Sequence, residues 1–465
     1  MQASQHSELF DETLLERYDT TVPRYTSYPT APQFHPLDEE QYLGWIARSN
    51  DGGNPLPLSI YVHIPFCSTV CFYCACTKII TANRNRAEPY LRGLLGEIRL
   101  ISDRLDTSRV VEQMHWGGGT PTFISRAQMQ MLMDELRSCF NFANDAASEM
   151  SIELDPREVG PGDIGFLREQ GFNRVSLGVQ DIDPDVQSAV NRIQPFEQTL
   201  GVFSAAREHS FKSISMDLIY GLPRQTPKRF ESTLDAIIRV RPDRLSVFNY
   251  AHLPQRFKVQ QQIDPSELPS RREKLDILKM TIERLSAAGY LYIGMDHFSQ
   301  PEDELALAQK NGTLHRNFQG YSTHRDCDLI GLGASSIGQV GGNYAQNHVR
   351  LEDYHRSIDA ARLPIVRGVK LNADDRLRRT VITELICNFR VDMDAIDVRY
   401  EIDFTRYFSN ELEQLQVMQD DGLVEVDDAT IRINPRGRLL VRNICSVFDA
   451  YLQTSEKFRG YSKAI

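Results

Sequence analysis

Four cysteines crowd into ten positions of this chain: Cys67, Cys71, Cys74 and Cys76. The spacing Cys67-x3-Cys71-x2-Cys74 puts three thiols on one short loop, directly after the apolar run Leu58–Pro65 (LSIYVHIP). Three thiolates so placed can bind three corners of a 4Fe–4S cube, because iron–sulfur ligation is by cysteine thiolate. The fourth iron then stays open to a small chelating ligand, and the amino and carboxylate groups of a methionine derivative fit that need. Structural zinc is the competing reading. Zinc sites usually pair two C-x2-C knuckles a dozen or more residues apart. Here everything lies within ten residues, and no histidine follows at knuckle spacing. Cys76 could close a four-cysteine site, so zinc stays open; a plain four-cysteine electron-transfer cluster would not need six β/α units behind it. The other cysteines, Cys139, Cys327, Cys387 and Cys445, are scattered and read as small buried hydrophobes.

Other residues with chemical potential are fewer. Gly117-Gly118-Gly119-Thr120-Pro121 ends an apolar run, where glycines let a backbone approach a ligand or make a tight turn. Glu153 stands near the end of another apolar run. A carboxylate there is costly unless paired, so it calls for an ammonium ligand or an internal salt bridge. His63, His297 and His315 read as hydrogen-bonded structural histidines. No Ser/His/Asp or paired-carboxylate arrangement stands out.

These groups need elements to position them. Six apolar runs, Leu58–Pro65, Val110–Trp116, Glu149–Asp155, Arg174–Gln180, Ser213–Tyr220 and Arg244–Tyr250, read as strands. Helical patterns follow near Ala87–Leu105, Arg126–Phe140, Pro161–Gln170, 183–209 and Lys228–Val240. Alternating strands and helices imply parallel β/α units, and six in succession an α/β fold with an incomplete (β/α)6 TIM-like barrel. A doubly wound sheet is the alternative that periodicity leaves open. Residues 1–55 read as an irregular N-terminal extension with one helix around 39–49, in which YTSYPT (25–30) is too polar for a core strand. Residues 270–290 form an amphipathic helix, and 291–345 are Gly-rich and irregular with short strands. A smaller, mostly α-helical C-terminal domain is expected over 366–465. It holds helices at Asp374–Asn388 and Thr405–Asp421, a hairpin over 423–433 and a long helix at Gly437–Leu452. The barrel domain takes 56–365.

The 465 residues are 41% hydrophobic and 25% charged, with a net charge of −11. That balance is globular, and nucleic-acid binders are more often basic on one face. No run of about 18 apolar residues suggests a membrane span. The N-terminus lacks the basic and apolar regions of a secretory signal, so a cytoplasmic location is expected.

The cysteine loop after the first barrel strand resembles that of the radical S-adenosylmethionine superfamily. The ordered set of YTSYPT (25–30), YVHIPFC (61–67), HWGGGTPT (115–122), IELDPRE (152–158), GVQD (178–181), DLIYGLP (217–223), FNYAHLP (248–254), GMDHF (294–298), LHRNFQGY (314–321) and ICNFR (386–390) resembles one family within it, the oxygen-independent coproporphyrinogen III oxidases. That resemblance implies one 4Fe–4S cluster on Cys67, Cys71 and Cys74, and two molecules of S-adenosylmethionine. It implies that Gly118, Gly119, Thr120, Tyr61 and Glu153 contact the first, and Tyr73, Gln180, Arg192, Asp217, Ala251 and Ile337 the second. Phe318 and Gln319 fall in a segment near the active site. Arg192 alone would read as a solvated helix residue. A 5′-deoxyadenosyl radical is expected to take hydrogen from the propionates of rings A and B of coproporphyrinogen III. Loss of carbon dioxide then leaves vinyl groups and protoporphyrinogen IX, in heme biosynthesis. Arg24 and Arg316 are expected to meet substrate carboxylates. A small electron-transfer protein such as flavodoxin or ferredoxin is the expected partner, and the chain a monomer. A heme-delivery protein and an anaerobic heme-degrading methyltransferase are the rival readings. One departure stands out: Ala75, where the family usually has Gly, separates Cys74 from Cys76, and Cys76 is expected to hold no iron.

Overall fold

The computed structural model describes residues 9–53, 55–324 and 326–452. Six strands appear where the apolar runs predict them: β1 (Leu58–Ile64), β2 (Val110–Gly118), β3 (Glu149–Leu154), β4 (Arg174–Gln180), β5 (Ser213–Tyr220) and β6 (Arg244–Asn249). They lie side by side in chain order, each parallel to the next. Sequential order excludes a doubly wound sheet, which would reverse direction at a switch point. The sheet is open, and it is an incomplete barrel.

Strand alternation explains its cross-section. Side chains of one parity, such as Ile60, Val62, Met114, Trp116, Ile152, Leu177, Met216 and Val247, are almost completely buried. They pack beneath helices that include Ala87–Ser102, Arg126–Cys139, Phe196–Glu208 and Pro227–Val240. The other parity brings Ser59, Ser151, Ser176, Ser215 and Ser246 to one interior void. Barrel interiors are ordinarily filled by bulky branched side chains; serines leave space.

The segment 291–345, expected to be irregular with short strands, uses those strands to extend this sheet at both ends. Strand β7 (His297–Ser299) pairs antiparallel with β6. Strand β8 (Asp328–Leu332) pairs parallel with β1, and a meander of Ile337–Val340, Asn343–Asn347 and Ile365–Val369 continues outward. The expected boundary at 365/366 therefore falls inside a strand. A hairpin, His315–Asn317 with Gly320–Ser322, stands apart from the sheet.

The C-terminal part is α-rich, with the expected hairpin Val424–Val426/Thr430–Ile433. Its first helix, Ala373–Asn388, starts with an Asn372/Asp375 capping box. Two expected helices are broken. Thr405–Asp421 divides at Phe408, whose ring packs against Phe404 and Phe448 at centroid distances of 4.7 and 5.4 Å. Gly437–Leu452 becomes a 3-10 turn, Pro435–Leu440, and a short helix, Val441–Val447. There Phe448 N–H already bonds back three residues to the Cys445 carbonyl at 3.1 Å, the tightening that ends a helix.

The N-terminal extension contains a helix beyond the expected one, Glu12–Arg17, besides Glu39–Asn50. The polar YTSYPT segment is buried, because its hydroxyls are paired. Tyr25 donates to Asp449 Oδ2 at 3.0 Å, Ser27 to the Pro29 carbonyl at 2.9 Å, and Tyr28 Oη accepts from Ala450 N–H at 3.1 Å. Arg442 donates to the carbonyls of Val22 and Pro23, clasping the extension to the C-terminal helix. Among the described residues no helix is long and apolar enough to cross a membrane.

Candidate active site

Strand β1 ends at Ile64, and Pro65 cannot donate to a continuing ladder. The chain resumes as Phe66–Cys67, paired in parallel with Ile79–Ile80, and this pairing closes the cysteine loop. Ile79 N–H donates to the Pro65 carbonyl at 2.6 Å, Thr81 N–H to Cys67 at 3.0 Å, and Cys74 N–H to Cys71 at 3.1 Å within the loop. Cys67, Cys71 and Cys74 are free, half-buried thiols on one cavity of about 170 Å³ at the C-terminal ends of the strands, the end where barrel enzymes build their sites.

The glycine turn after β2 lies flush against this loop. Gly119 N–H donates to the Ile64 carbonyl at 2.9 Å and Thr120 N–H to Phe66 at 2.8 Å. A Cβ on Gly119 would stand 2.8 Å from the Phe66 carbonyl oxygen. Close approach to the cysteine loop itself thus requires the glycine, while the same turn still faces the cavity. Thr120 Oγ1 lies 3.5 Å from Cys67 Sγ.

Two guanidinium groups reach Cys71 Sγ: Arg192 Nη1 at 3.4 Å and Arg157 Nη2 at 3.5 Å. Arg192 lies between helices Pro184–Ala189 and Phe196–Glu208, and its side chain is only 7% exposed. It is no solvated helix residue. It pairs with Asp155 Oδ2 at 3.0 Å and donates to the Gly178 carbonyl at 2.6 Å. Its Nε has no hydrogen-bond partner among the described residues. Asp155, Arg157 and Lys78 were not singled out from sequence. The signal for the first two was charge immediately after an apolar strand.

Charges in the cavity are held by named partners. Glu153 accepts from His115 Nε2 at 3.1 Å and from Gly118 N–H at 3.4 Å. Burial opposes its charge, but those donors hold its carboxyl below the ordinary value. Burial pushes the Asp217 carboxyl up to about 6, although Ser176 donates to it at 2.9 Å. Burial likewise pushes the Cys67 thiol up to about 11. The hydrogen bond with Cys76, aided by the Lys78 ammonium, brings the Cys74 thiol down to about 6.

A second cavity of about 390 Å³ is the serine-lined barrel interior. It shares Cys76, Glu153, Ser176, Gln180 and Asp217 with the first, so the two spaces adjoin. Three cysteine thiols, an orphaned buried arginine donor and a carboxylate facing the same space fit a three-cysteine cluster with an amino-acid ligand.

The structure brings Gly118, Gly119, Thr120, Glu153, Tyr73, Gln180, Arg192 and Asp217 to the cluster cavity. Tyr61 lines the barrel interior, stacked on His115 at a centroid distance of 5.9 Å. Gln319 also faces that interior, with an Oε1 lacking a hydrogen-bond partner among the described residues. Ala251 and Ile337 are not among the residues lining either cavity. Ile337 and Phe318 pack instead beside Phe34 and Tyr344. Arg24 pairs with Asp296 at 2.5 Å, and Arg316 donates to the Arg24 and Tyr25 carbonyls at 2.8 and 3.1 Å. His63 bridges Tyr61 Oη and the Thr77 carbonyl, as a structural histidine does.

This partial barrel, with its three-cysteine loop at the strand ends, defines a radical S-adenosylmethionine enzyme, and residues 61–237 match the radical SAM superfamily. Residues 371–440 match the HemN C-terminal domain. Over 460 residues the chain is 51% identical to the oxygen-independent coproporphyrinogen III oxidase of Pseudomonas aeruginosa, a match covering 98% of this chain and 99% of that one. It is 47% identical to the Escherichia coli protein of that name over 457 residues, 98% of each chain. The solved structure of coproporphyrinogen III oxidase (HemN) from Escherichia coli, described as a radical SAM enzyme, matches with a TM-score of 0.91. Identity there is 46%, over 96% of this chain and 100% of that one. The chain belongs to the oxygen-independent coproporphyrinogen III oxidase family, whose radical SAM chemistry uses a 4Fe–4S cluster and S-adenosylmethionine.

Proposed function

We propose that this chain converts coproporphyrinogen III to protoporphyrinogen IX without oxygen, by oxidative decarboxylation of the ring A and ring B propionates in heme biosynthesis. One observation carries the reading: the three-cysteine cavity adjoins a serine-lined barrel interior across Cys76, Glu153, Gln180 and Asp217. When bound, the cluster supplies the electron that cleaves S-adenosylmethionine and yields the hydrogen-abstracting radical. Cys67, Cys71 and Cys74 hold the cluster, and Cys76 holds no iron. Arg157 and Arg192 set positive charge against Cys71 Sγ.

Glu153, kept anionic by His115 and Gly118 N–H, receives the ammonium group of the cosubstrate. Gly118, Gly119, Thr120 and Tyr61 position that first molecule. Tyr73, Gln180, Arg192, Asp217, Ala251 and Ile337 serve a second, with Ala251 and Ile337 reached by closure around it. Phe318 and Gln319 belong to the hairpin that faces the substrate. Arg24 and Arg316 serve its carboxylates, and Arg24 exchanges Asp296 for a propionate when substrate enters. The electron comes from a flavodoxin- or ferredoxin-type protein, and the enzyme works as a cytoplasmic monomer. The N-terminal residues 9–53 and the α-rich part over 373–452 close over the barrel.

The test is anaerobic turnover of the cluster-loaded protein with reductant, S-adenosylmethionine, coproporphyrinogen III and an electron acceptor. Two carbon dioxide molecules per divinyl porphyrinogen support the reading. An opened, methylated tetrapyrrole would instead indicate the heme-degrading methyltransferase, and absence of turnover with tight heme binding would indicate a carrier.

A further inference from the structure

A second group of metal-ligating side chains lies at the other end of the barrel. Glu112 comes from the start of β2, and His324 and Cys327 from the loop that leads into β8. Their donor atoms all lie within 4.8 Å of one another. His324 Nδ1 is 3.1 Å from Glu112 Oε2, and His324 Nε2 faces Glu149 Oε2 at 3.9 Å. Thr323 Oγ1 donates to that same Glu149 oxygen at 3.2 Å.

The backbone contributes independently. Leu58 of β1 pairs with Val111, but the next residue, Ser59, pairs with Gln113. Glu112 is therefore the extra residue of a β-bulge. Bulges re-aim a side chain and gather beside functional sites. This one takes Glu112 out of the alternation that would otherwise send it under the helices. It also sets Glu112 beside Leu58, whose other neighbour in the sheet is Asp328, the residue after Cys327.

We infer that Glu112, His324 and Cys327 form a binding site for a zinc-class divalent cation. One thiolate sulfur, one imidazole nitrogen and one carboxylate oxygen suit a borderline-soft ion such as Zn²⁺. Ligand bonds of about 2.0–2.3 Å space tetrahedral donors at roughly 3.3–3.8 Å. The His324–Glu112 pair, at 3.1 Å, opens by a few tenths of an ångström, and the Cys327 thiol, within 4.8 Å of both, closes by at most about 1 Å. His324 binds through Nδ1, and Glu149 Oε2, now 3.9 Å from Nε2, closes to hydrogen-bond distance and orients the ring, the carboxylate–histidine–metal arrangement. A water completes the tetrahedron. The site ties the loop behind the Gln319 hairpin to β2, and so fixes the floor of the barrel. It is separate from the cluster loop, because the seven-residue β1 puts about 20 Å between the two ends of the barrel.

The experiment uses cluster-loaded, full-length protein, so that the iron occupies the competing thiols. Zn²⁺ is added anaerobically in equal amount, free metal is removed by gel filtration, and zinc and iron are counted by mass spectrometry. The expected result is about one zinc per chain beside about four irons, with one zinc–sulfur bond near 2.3 Å in X-ray absorption. Cys327→Ser should abolish that bond and weaken zinc binding at least about tenfold. Glu112→Gln and His324→Gln should weaken it by a similar factor. Iron content stays unchanged in all three. Glu112→Gln preserves shape, so it keeps the test sound if Cys327→Ser folds poorly. Failure of the wild type to retain zinc would overturn the inference. So would zinc retained with unchanged affinity in Cys327→Ser and Glu112→Gln, which would place it elsewhere, such as on Cys76.

Discussion

Arg192 and Arg109 are both buried arginines paired with an aspartate, one at each end of the same set of strands. Arg109, before β2, places its donors on the Leu56 carbonyl at 2.6 Å, Ser49 Oγ at 3.0 Å and Asp328 Oδ2 at 2.6 Å. Arg192 contacts Asp155, Gly178 and a cysteine sulfur, and its Nε remains without a partner among the described residues. A buried donor without a partner costs free energy. At the floor, the pairs are internal and hold the fold. At the mouth, Arg192 lines the cluster cavity with one buried donor left over. Residue type does not distinguish Arg109 from Arg192; the partners of their donors do.

The sharpest break of this comparison is at the floor. Arg109→Ala strands Asp328, whose side chain is only 2% exposed, and should cost about 3–5 kcal/mol. The denaturant midpoint should fall accordingly, while turnover per folded molecule is kept. A cost below about 1 kcal/mol would show that the pair is not structural. At the mouth the reverse is expected. Arg192→Ala should lower turnover roughly a hundredfold, about 2.7 kcal/mol of barrier, with iron content retained. Turnover within a factor of two of wild type would remove Arg192 from the site.

The wall between the two ends titrates. Burial, reinforced by the Arg316 charge, presses the His297 imidazole from 6.5 down to about 4. The native state therefore binds fewer protons than the unfolded chain in that window. Stability from neutral His297 is present above about pH 6.5 and lost as pH falls toward 4. Roughly 2 kcal/mol should disappear between pH 6.5 and 4.5, and His297→Gln should flatten that slope. Equal slopes in denaturant titrations of both proteins would contradict it. The smallest effect is expected at Gly119→Ala. The added methyl meets the Phe66 and Pro65 backbone at 2.8 Å, and about 1 kcal/mol of overpacking should loosen the turn. Partial loss of cluster occupancy would show this, and full occupancy with unchanged unfolding would exclude it.

Much of the barrel could be read from residues alone, because alternation along each strand assigns Ile60 and Val62 to the helices and Ser59 and Tyr61 to the interior. The cysteine loop was legible for the same local reason: its ligands lie close together in sequence. Strand β8 was not. Its Gly331, and Gly338 of the adjoining strand Ile337–Val340, read as loop punctuation, yet a Cβ on Gly331 would stand 2.8 Å from the Ile337 carbonyl carbon, and one on Gly338 2.7 Å from the Leu329 carbonyl oxygen. They are strand glycines demanded by close backbone crossing. Arg192 could not be placed from spacing, since its loop comes to the cluster through tertiary packing of two flanking helices. The buried YTSYPT segment was hidden because its partners, Asp449 and Ala450, lie more than four hundred residues away.

The central claim is that Cys67, Cys71 and Cys74 alone bind the cluster. The direct measurement is iron and sulfide per chain, with the visible and electron-paramagnetic-resonance spectra, after anaerobic reconstitution of four single Cys→Ser variants. The account predicts about four irons per chain in wild type and Cys76→Ser. It predicts loss of the 4Fe–4S spectrum in Cys67→Ser, Cys71→Ser and Cys74→Ser. A full cluster in any of those three, or its loss in Cys76→Ser, would contradict the ligand assignment.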